Sequence, residues 1–380
     1  MSNKSNRLTR SNLVRFLRDS ISLIAFALFF FAAIGGGFYA IHQKNIAINF
    51  FYTPESTIQA REAPRHIAPP ADGVRALYMT SWVASTKHLR DRLTAFVDEN
   101  PRINALVIDV KDYSGEVAWE KRVKDLPALI EDLHRRGIYT IARITVFQDP
   151  VYAKVHPEEA ITHSNGSLWR DKNGLHYIDP ASRAFWDYII AIAKQSERMG
   201  FDELNFDYIR FPSDGPVAQA RFPFWNQKMQ SRAEALEEFF AYLRSSLIEV
   251  GVPISADVFG LTTWQEDDLN IGQVLEDIAS HFDYVAPMIY PSHYPPTFQG
   301  FKNPAAHPYE IVHTAMERAV FRLEQMGENP KKLRPWLQDF DLGAIYDAAM
   351  IKKQIKAVED AGLDSWMMWD SSNRYTRNAY

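Results

Sequence analysis

The sequence predicts an α/β protein with a (β/α)8 barrel, in which eight parallel strands close into a cylinder surrounded by helices. Short β-rich runs alternate with amphipathic helical stretches, a pattern that predicts a parallel sheet covered by helices. Eight such runs fit within about 300 residues, the length of one barrel. The loops that follow the strands are also longer than those that follow the helices. An open doubly wound sheet is the alternative arrangement of the same units.

The elements follow one another in strict alternation along the chain. The predicted strands are 76–81, 105–111, 139–147, 203–210, 253–260, 284–290, 334–340 and 365–371. The predicted helices are 86–99, 126–136, 183–199, 232–250, 271–281, 309–326 and 348–361. A glycine just past a helix end adopts the left-handed capping conformation without a steric penalty. Five of the helix-to-strand corners have one, namely Gly137, Gly200, Gly251, Gly327 and Gly362.

The long loops after the strands indicate where function lies. About 35 residues follow strand three, about 20 follow strand four and about 17 follow strand six. Barrel active sites are built from the loops at the carboxyl ends of the strands, and long loops in a compact domain are usually functional.

Three aspartates lie near the carboxyl ends of strands two, four and five. Side chains alternate between the two faces of a strand. On strand four, Leu204 and Phe206 share the face that packs on the helices, so Asp207 faces the barrel interior. The same alternation predicts that Asp109 and Asp257 also face inward.

Strands four and five are neighbours, so Asp207 and Asp257 are expected to lie close together. Neighbouring carboxyl groups drive each other's pKa values apart, so that one serves as nucleophile or base and the other as acid. Glycoside cleavage needs such a pair. Asp109 and Arg143 are expected to contact the substrate. The alternative is a structural ion-pair network of these carboxylates with Arg143 or Lys111.

Further polar residues at the strand ends have two interpretations each. Arg210 either holds Asp207 ionised or is a surface arginine. Lys111 and Asp112 either bind substrate hydroxyls or belong to a tight turn, which is the favoured interpretation for Asp112.

Two more acids lie at the ends of strands seven and eight. Asp339 is a candidate for orienting the hydroxyls of a sugar ring. Asp370 either does the same or caps backbone groups that close the barrel.

Aromatic residues cluster at the same end of the predicted barrel. Sugars present apolar C–H faces that stack on such rings. The alternative is simple packing of the barrel rim. The tryptophans are Trp82, Trp119, Trp169, Trp225, Trp264 and Trp369. Tyr290, His293 and Tyr294 follow strand six. From these groups, Trp82, Trp264, Trp369, Tyr290 and His293 are the candidates for substrate binding.

The N-terminal part of the chain predicts a membrane anchor. A basic tail, 1–20, precedes an uncharged apolar segment, 21–41, whose length as a helix, about 31 Å, matches a bilayer core. Basic residues on the N-terminal flank favour a cytoplasmic tail, which places the remainder outside the bacterial cytoplasmic membrane. A cleaved signal peptide and a buried helix are the alternatives. A proline-containing linker, 42–73, leads to the barrel domain, 74–380.

Composition excludes several classes of function. The net charge is −5, and no basic stripe suggests a nucleic-acid partner. The chain has no cysteine, which excludes disulfides and thiolate metal sites. Its eleven histidines show no helical ligand spacing, and no nucleotide-binding or hydrolase-elbow motif is present. We therefore expect no cofactor and no catalytic metal, while a structural calcium ion stays an open alternative.

Four motifs resemble the bacterial "putative glycosyl hydrolase domain" family, a distant relative of the α-amylase-type barrels. The similarity covers about residues 74–375. The motifs are Val-Ile-Asp-Val-Lys-Asp at 107–112, Asn-Phe-Asp-Tyr-Ile-Arg-Phe-Pro at 205–212, Ser-Ala-Asp-Val-Phe-Gly at 255–260 and Ala-Pro-Met-Ile-Tyr-Pro at 286–291. The resemblance implies a (β/α)8 barrel with glycosidase chemistry.

The resemblance also implies roles for particular residues. In α-amylase-type barrels an aspartate that ends strand four is the nucleophile, and Asp207 matches it. Their acid on strand five is a glutamate, where this chain has Asp257. Their arginine precedes the nucleophile by two residues, where this chain has Asn205. The segment 288–291 is also similar to chitinase-type barrels, but their strand-four motif, D-x-x-D-x-D-x-E, is absent.

The leading hypothesis is a membrane-anchored glycoside hydrolase that acts on an extracytoplasmic polysaccharide or oligosaccharide. Asp207 is the expected nucleophile or stabiliser and Asp257 the expected general acid. A non-catalytic glycan-binding or scaffold barrel of the cell envelope is the main alternative. A hydrolase of esters or amides is a third hypothesis, although it lacks an obvious nucleophile.

Overall fold

The computed structural model describes residues 66–380. The predicted tail 1–20, the apolar segment 21–41 and most of the linker 42–73 lie outside the described residues. Among residues 66–380, no helix combines the length and apolar character that crossing a bilayer requires.

Eight parallel strands form a closed barrel in the order of the chain, from β1 to β8. The pairing of Arg75 with Trp366 is part of the register between β1 and β8 that closes it. The strands are β1 Arg75–Met79, β2 Ala105–Lys111, β3 Tyr139–Thr145, β4 Glu203–Asp207, β5 Ile254–Phe259, β6 Tyr284–Met288, β7 Trp336–Gln338 and β8 Trp366–Trp369. The predicted (β/α)8 barrel is confirmed, and the open sheet is wrong.

Helices lie between the strands, as the alternation predicts. They are α1 Ser81–Ser85, α2 Lys87–Glu99, α3 Ala118–Lys121, α4 Leu126–Arg135, α5 Pro150–Val155, α6 Arg183–Arg198, α7 Arg232–Ser246, α8 Leu275–His281, α9 Pro308–Gln325 and α10 Ala348–Asp360. All five predicted corner glycines have a positive φ, between 73° and 106°. This is the conformation that ends a helix at low steric cost.

Some predicted elements are too long. Strand four ends at Asp207 rather than at residue 210, because Tyr208 has a left-handed backbone with φ of 53°. Strand seven shrinks to Trp336–Gln338. The helix predicted over 271–281 begins at Leu275, after Gly272 with φ of 84°. A left-handed residue interrupts the regular backbone, and periodicity in the sequence gives no sign of it.

The buried apolar residues form two clusters, one on each side of the sheet. The larger cluster lies between the strands and the helices and includes Leu106, Leu204 and Val258. The smaller cluster fills the barrel interior with residues such as Val107 and Trp336. Side chains therefore alternate between helix layer and interior, as predicted for β2, β4 and β5.

Candidate active site

Arg143, at the carboxyl-terminal half of β3, lies among all three predicted inward-facing aspartates. Its Nη1 donates to Asp109 Oδ1 at 2.7 Å, and its Nη2 donates to Asp207 Oδ2. Its Nε lies 3.7 Å from Asp257 Oδ2. Strands β2, β3, β4 and β5 are consecutive in the barrel, so these four side chains meet at one end of the interior. We call Asp109, Arg143, Asp207 and Asp257 the upper cluster.

The upper cluster holds three carboxyl groups and one guanidinium, so its charges do not balance. Burial, together with repulsion from Asp207, raises the pKa of Asp257 to about 8. Burial raises the pKa of Asp109 to about 6, against the opposing attraction of Arg143. At neutral pH Asp257 therefore carries a proton. One acid and one carboxylate side by side are what glycoside cleavage requires.

Asp257 is hydrogen-bonded on one oxygen only. Asn205 Nδ2 donates to its Oδ1 at 2.9 Å, and Trp336 Nε1 donates to the same oxygen at 2.8 Å. Since Oδ1 already accepts two hydrogen bonds, the proton of the neutral carboxyl group belongs on Oδ2. That oxygen is directed toward the centre of the upper cluster, where Arg143 lies.

Both oxygens of Asp207 accept hydrogen bonds. Arg143 donates to Oδ2, and the backbone N–H of Tyr208 donates to Oδ1 at 2.6 Å. The left-handed φ of Tyr208 is unusual for a bulky residue and stores strain at this point of the chain. Strain of this kind is concentrated at functional sites.

The left-handed backbone at Tyr208 makes a kink in the chain. This kink corrects the prediction that Arg210 contacts Asp207. Its Nη1 donates to Phe211 O and to Ser213 Oγ, each at 3.1 Å. Its guanidinium lies over the rings of Tyr208 and Phe259 rather than against Asp207. Because the chain leaves the barrel wall at Tyr208, Arg210 no longer returns to the interior. Arg143 supplies the guanidinium instead.

Arg143 also explains the departure from the α-amylase-type pattern. Those barrels have an arginine two residues before the nucleophile, where this chain has Asn205. In the parallel register, Arg143 on β3 is paired with Asn205 on β4. The guanidinium thus reaches Asp207 from the adjacent strand at the same level of the barrel.

Two aromatic residues that the sequence analysis did not single out complete this site. Tyr78 donates its hydroxyl hydrogen to Asp109 Oδ2 and stacks on Trp369, with the ring centroids 4.0 Å apart. The Arg143 guanidinium lies 5.1 Å from the Trp369 ring centroid. Trp336 is the indole that donates to Asp257. Strand alternation applied to β1 and β7 would have placed both Tyr78 and Trp336 in the interior.

Lys111 does not lie in the site. Its side chain is completely buried, 3.0 Å from Asp149, and its Nζ donates to Thr145 O at 2.6 Å. A β-bulge between Asp109 and Lys111 shifts the register with β3, which turns the lysine away from the aspartate. Lys111 therefore contacts Asp149 and Thr145 rather than the upper cluster, and its binding of substrate stays a prediction.

The remaining predicted acids stabilise turns or the C-terminal segment. Asp112 Oδ1 accepts from Ser114 N at 2.9 Å, which confirms the turn interpretation. Asp370 Oδ1 accepts from Ser372 N at 2.6 Å, as in the capping interpretation. Asp339 accepts from the backbone N–H and the hydroxyl of Thr376 and from the Tyr380 hydroxyl. Its predicted role with sugar hydroxyls is thus replaced by a role in holding the C-terminal segment.

The predicted aromatic residues separate into three groups. Trp169 and Trp225 are buried, so packing is the correct interpretation for them. Tyr290 is buried beside Phe340 and His293, in the interior cluster. The exposed or half-exposed residues at this end of the barrel are Trp82, Trp119, Trp264, His293 and Trp369.

One group in the described part of the chain has the composition of a metal site. His156, Glu158 and Glu159 lie close enough to share an ion. Glu159 already accepts from Ser182 Oγ at 2.6 Å and from the Tyr152 hydroxyl at 3.2 Å. Its carboxylate therefore has a structural role, and nothing ties this group to the upper cluster.

Comparisons with known proteins identify the family of the chain and proteins of similar fold. No curated protein matches the chain in sequence. A hypothetical protein from Ruminiclostridium thermocellum is 36% identical over 48% of this chain and 97% of its own, with a TM-score of 0.42. The PgaB (BpsB) glycoside hydrolase domain from Bordetella bronchiseptica is 13% identical, with a TM-score of 0.55 over 79% of this chain and 95% of its own.

An α-galactosidase from Thermus thermophilus, solved in complex with stachyose, is also similar in fold. It is 12% identical, with a TM-score of 0.52 over 83% of this chain and 64% of its own. At such low identity the two glycoside hydrolases support the fold alone. The model of the family described as "Putative glycosyl hydrolase domain" matches residues 76–375, so the chain belongs to that family.

Proposed function

We propose that the chain is a glycoside hydrolase that cleaves an extracytoplasmic polysaccharide with Asp207 and Asp257. One observation carries the proposal: Asp207 and Asp257 both lie against the Arg143 guanidinium, at the carboxyl end of the barrel. Asp257 has a pKa of about 8, while Arg143 and the Tyr208 N–H stabilise the Asp207 carboxylate. Family membership supports the same chemistry.

Each carboxyl group has one task in the reaction. Asp257 gives the proton on Oδ2 to the glycosidic oxygen as the bond from that oxygen to the anomeric carbon breaks. Asp207, negatively charged, stabilises the positive charge that develops on the sugar ring or attacks the anomeric carbon. Water then adds a hydroxyl group to that carbon, and its remaining proton restores the acid. Arg143 supplies a positive charge beside Asp207, while burial keeps the pKa of Asp257 raised.

The neighbouring aromatic residues bind the sugar ring in this proposal. Asp207 keeps 5% of its surface exposed and Asp257 keeps 1%, so the acid is the less exposed of the two. Trp369 and Phe259 are half-buried, and the Arg143 guanidinium lies 5.1 Å from the Trp369 ring centroid. Their side chains rotate to admit a sugar, and the Trp369 ring then offers a stacking surface.

The location follows from the N-terminal sequence. The apolar segment 21–41 anchors the chain in the cytoplasmic membrane, and the linker 42–73 lets the barrel reach envelope or exported glycans. Protease treatment of intact and permeabilised spheroplasts tests this orientation. A barrel that is digested only after permeabilisation would place the domain in the cytoplasm instead.

Hydrolysis is tested by incubating the chain with envelope and exported glycans and measuring new reducing ends. We expect one glycan class to be cleaved and Asp207→Asn to abolish the cleavage. Asp112→Asn is a matched control, because the amide oxygen still accepts the turn hydrogen bond from Ser114. Unchanged cleavage by Asp207→Asn would remove this residue from its proposed role.

A non-catalytic glycan-binding barrel is the second candidate. The near-complete burial of the upper cluster and its ion pairs with Arg143 favour it, since a structural ion-pair network has these properties. This candidate predicts tight binding of a glycan without new reducing ends. The same glycan panel, read by calorimetry and by reducing-end formation, separates the two.

A further inference from the structure

A groove of about 1060 Å³ lies beside the loop that follows β4. It begins in sequence at Pro212 and Ser213, just after the kink at Tyr208 that ends the catalytic strand. We propose that this groove binds an acidic sugar of the glycan, a uronate or a sugar with an equivalent carboxylate substituent. The inference rests on the proposed function in one respect, namely that the ligand is a glycan.

Two arginines line the groove without a carboxylate partner. Arg221 is exposed, and its Nη1 donates only to the Ala220 carbonyl oxygen, at 3.0 Å. Arg232 is half-buried, with its guanidinium 5.2 Å from the ring centroid of Trp225. Within residues 66–380, neither arginine takes part in an ion pair. Most other arginines of this domain do, for example Arg183 with Glu238.

The charge of the groove differs from that of the whole chain. The chain has a net charge of −5, yet the described residues that line the groove include no aspartate and no glutamate. A smaller groove of about 440 Å³ also has Arg221 in its lining, together with His163 and no acidic residue. Unpaired guanidinium groups bind carboxylates through two parallel hydrogen bonds. The charge pattern therefore favours an anionic ligand.

An aromatic surface accompanies the arginines. Phe224 lines the groove with 52% of its surface exposed, although it is a large apolar side chain. The ring of Trp225, behind it in the chain, is buried and packs against Phe222 with centroids 5.0 Å apart. An exposed ring in the same groove as two cations suits a charged sugar, which has an apolar C–H face and a carboxylate.

The groove is held in shape before any ligand binds. The buried carboxylate of Asp179 accepts from the backbone N–H groups of Phe224, at 2.7 Å, and of Trp225, at 3.0 Å. The backbone of Arg221 exchanges two hydrogen bonds with Thr162, at 2.7 and 3.0 Å. Both the aromatic ring and the guanidinium are thus attached to fixed backbone, which lowers the entropy cost of binding.

The position of the groove agrees with a polymeric substrate. Pro212 and Ser213 follow Asp207 by five and six residues, and Ser213 Oγ accepts from Arg210, whose guanidinium lies over Tyr208. A chain of sugars cleaved at the upper cluster can therefore extend toward the groove, where a uronate several units away contributes binding. Remote binding of this kind raises the rate on long substrates over short ones.

The test is calorimetric titration of the full chain with hexamers of galacturonate, glucuronate and mannuronate, and with the methyl ester of each. The ester keeps the shape of the sugar and removes its charge. We expect at least one acid to bind about tenfold more tightly than its ester at low salt, with the difference reduced at high salt. Equal binding of acids and esters would overturn the inference.

Variants locate the binding. Arg221→Gln and Arg232→Gln are each expected to weaken the acid about tenfold and to leave the ester unchanged, whereas Phe224→Ala weakens both. Arg92→Gln is the matched control, because Arg92 is an exposed arginine on α2, between β1 and β2. If Arg92→Gln lowers acid binding as much as the groove variants, net charge alone explains it and the inference fails.

These outcomes are independent of catalysis. If glycans are hydrolysed but acids show no preference for the groove, the inference falls and the proposed function stands. If a uronate binds through Arg221 and no glycan is cleaved, the groove stands and the hydrolase proposal falls. Reducing-end measurements on the same samples provide the second readout.

Discussion

Two charged clusters occupy the barrel interior, and they differ in the balance between negative and positive charges. The upper cluster has three carboxyl groups around Arg143. The lower cluster, which we define as Tyr139, Glu203, Ser255 and Arg334, has one carboxyl group and one guanidinium. On β4, Glu203 and Asp207 are four residues apart on the same face, which corresponds to about 13 Å along the strand.

The lower cluster matches its charges, and both oxygens of its one carboxylate accept hydrogen bonds. Arg334 Nη1 donates to both oxygens of Glu203, at 2.8 and 3.0 Å. Ser255 Oγ and the Tyr139 hydroxyl each donate to one of these oxygens, at 2.7 and 3.1 Å. At most 1% of the side-chain surface of Arg334 or Glu203 is exposed. A pair with balanced charges has no surplus proton to give, so its role is structural.

The upper cluster has the opposite character. Two of its carboxyl groups have raised pKa values, because burial opposes ionisation of both Asp257 and Asp109 and Asp207 also repels the charge on Asp257. Surplus acid in a buried site is a source of protons for chemistry and a cost to stability. The comparison teaches that burial alone does not mark a functional charge; an unmatched charge does.

The largest expected effect comes from Arg143→Met. Without the guanidinium, three buried carboxyl groups lose their counter-charge, so we expect turnover to fall about 10²–10³-fold and stability to fall by about 3–5 kcal/mol at pH 8. The stability should return as pH falls, because protonated carboxyl groups need no cation. Urea unfolding from pH 5 to 8 and reducing-end assays measure both. Arg210→Met, outside the cluster, should leave turnover nearly unchanged; an equal loss would contradict the assignment.

A pair of isosteric substitutions compares the clusters directly. Glu203→Gln leaves Arg334 buried without a counter-charge, and we expect a loss of about 3–5 kcal/mol in the free energy of unfolding at pH 7. Asp257→Asn removes a surplus acid, so its stability should equal or exceed that of the wild type. Similar losses for both variants would show that the upper cluster is a balanced network too.

The raised pKa of Asp257 determines the direction in which stability changes with pH. Its pKa is about 8 in the folded chain and 3.8 ordinarily, so the folded state holds more protons between those values. The contribution of Asp257 to stability is therefore fully present below about pH 4 and is lost as pH rises to 8. Comparing urea unfolding of wild type and Asp257→Asn at pH 5 and pH 8 measures it, and the variant's advantage should grow with pH.

Catalysis, like the contribution of Asp257 to stability, should be lost at high pH. We call the pH above which it is lost the alkaline limit. Since Asp257 must be protonated to act as the acid, kcat/KM should fall about tenfold per unit of pH above about 8. A pH–rate profile on the responsive glycan measures this. An aryl glycoside with a dinitrophenol leaving group needs no proton and should show a weaker decline. A glycan profile that stays flat to pH 10 would exclude Asp257 as the acid.

The smallest expected effect comes from Trp336→Phe. The indole N–H stabilises the ionised form of Asp257, so its removal should raise the pKa of Asp257 and move the alkaline limit upward by about one pH unit. Turnover at pH 7 should change little. Thermal unfolding of the variant controls for lost packing in the interior. A downward shift of the limit would contradict the proposed direction of the hydrogen bond.

Much of the barrel could be predicted from the sequence, because alternation and capping are local. The strand at 105–111 is reproduced without change, and Asp109, Asp207 and Asp257 face inward as predicted. The corner glycines behave as predicted for the same reason: a left-handed cap depends on a few neighbouring residues. Successive side chains of a strand point to opposite faces, so the sequence predicts which face each one takes without knowledge of the neighbouring strand.

The sequence alone determined the element order, the faces of the strands and the group of acids at one end of the barrel. Only the tertiary structure decided which cation those acids share. The sequence analysis offered three cations, Lys111, Arg143 and Arg210. The bulge at Lys111 and the left-handed Tyr208 remove two of them, and the register of β3 against β4 brings the third, Arg143, to Asp207. Such choices depend on contacts between strands about 60 residues apart, which no local pattern encodes.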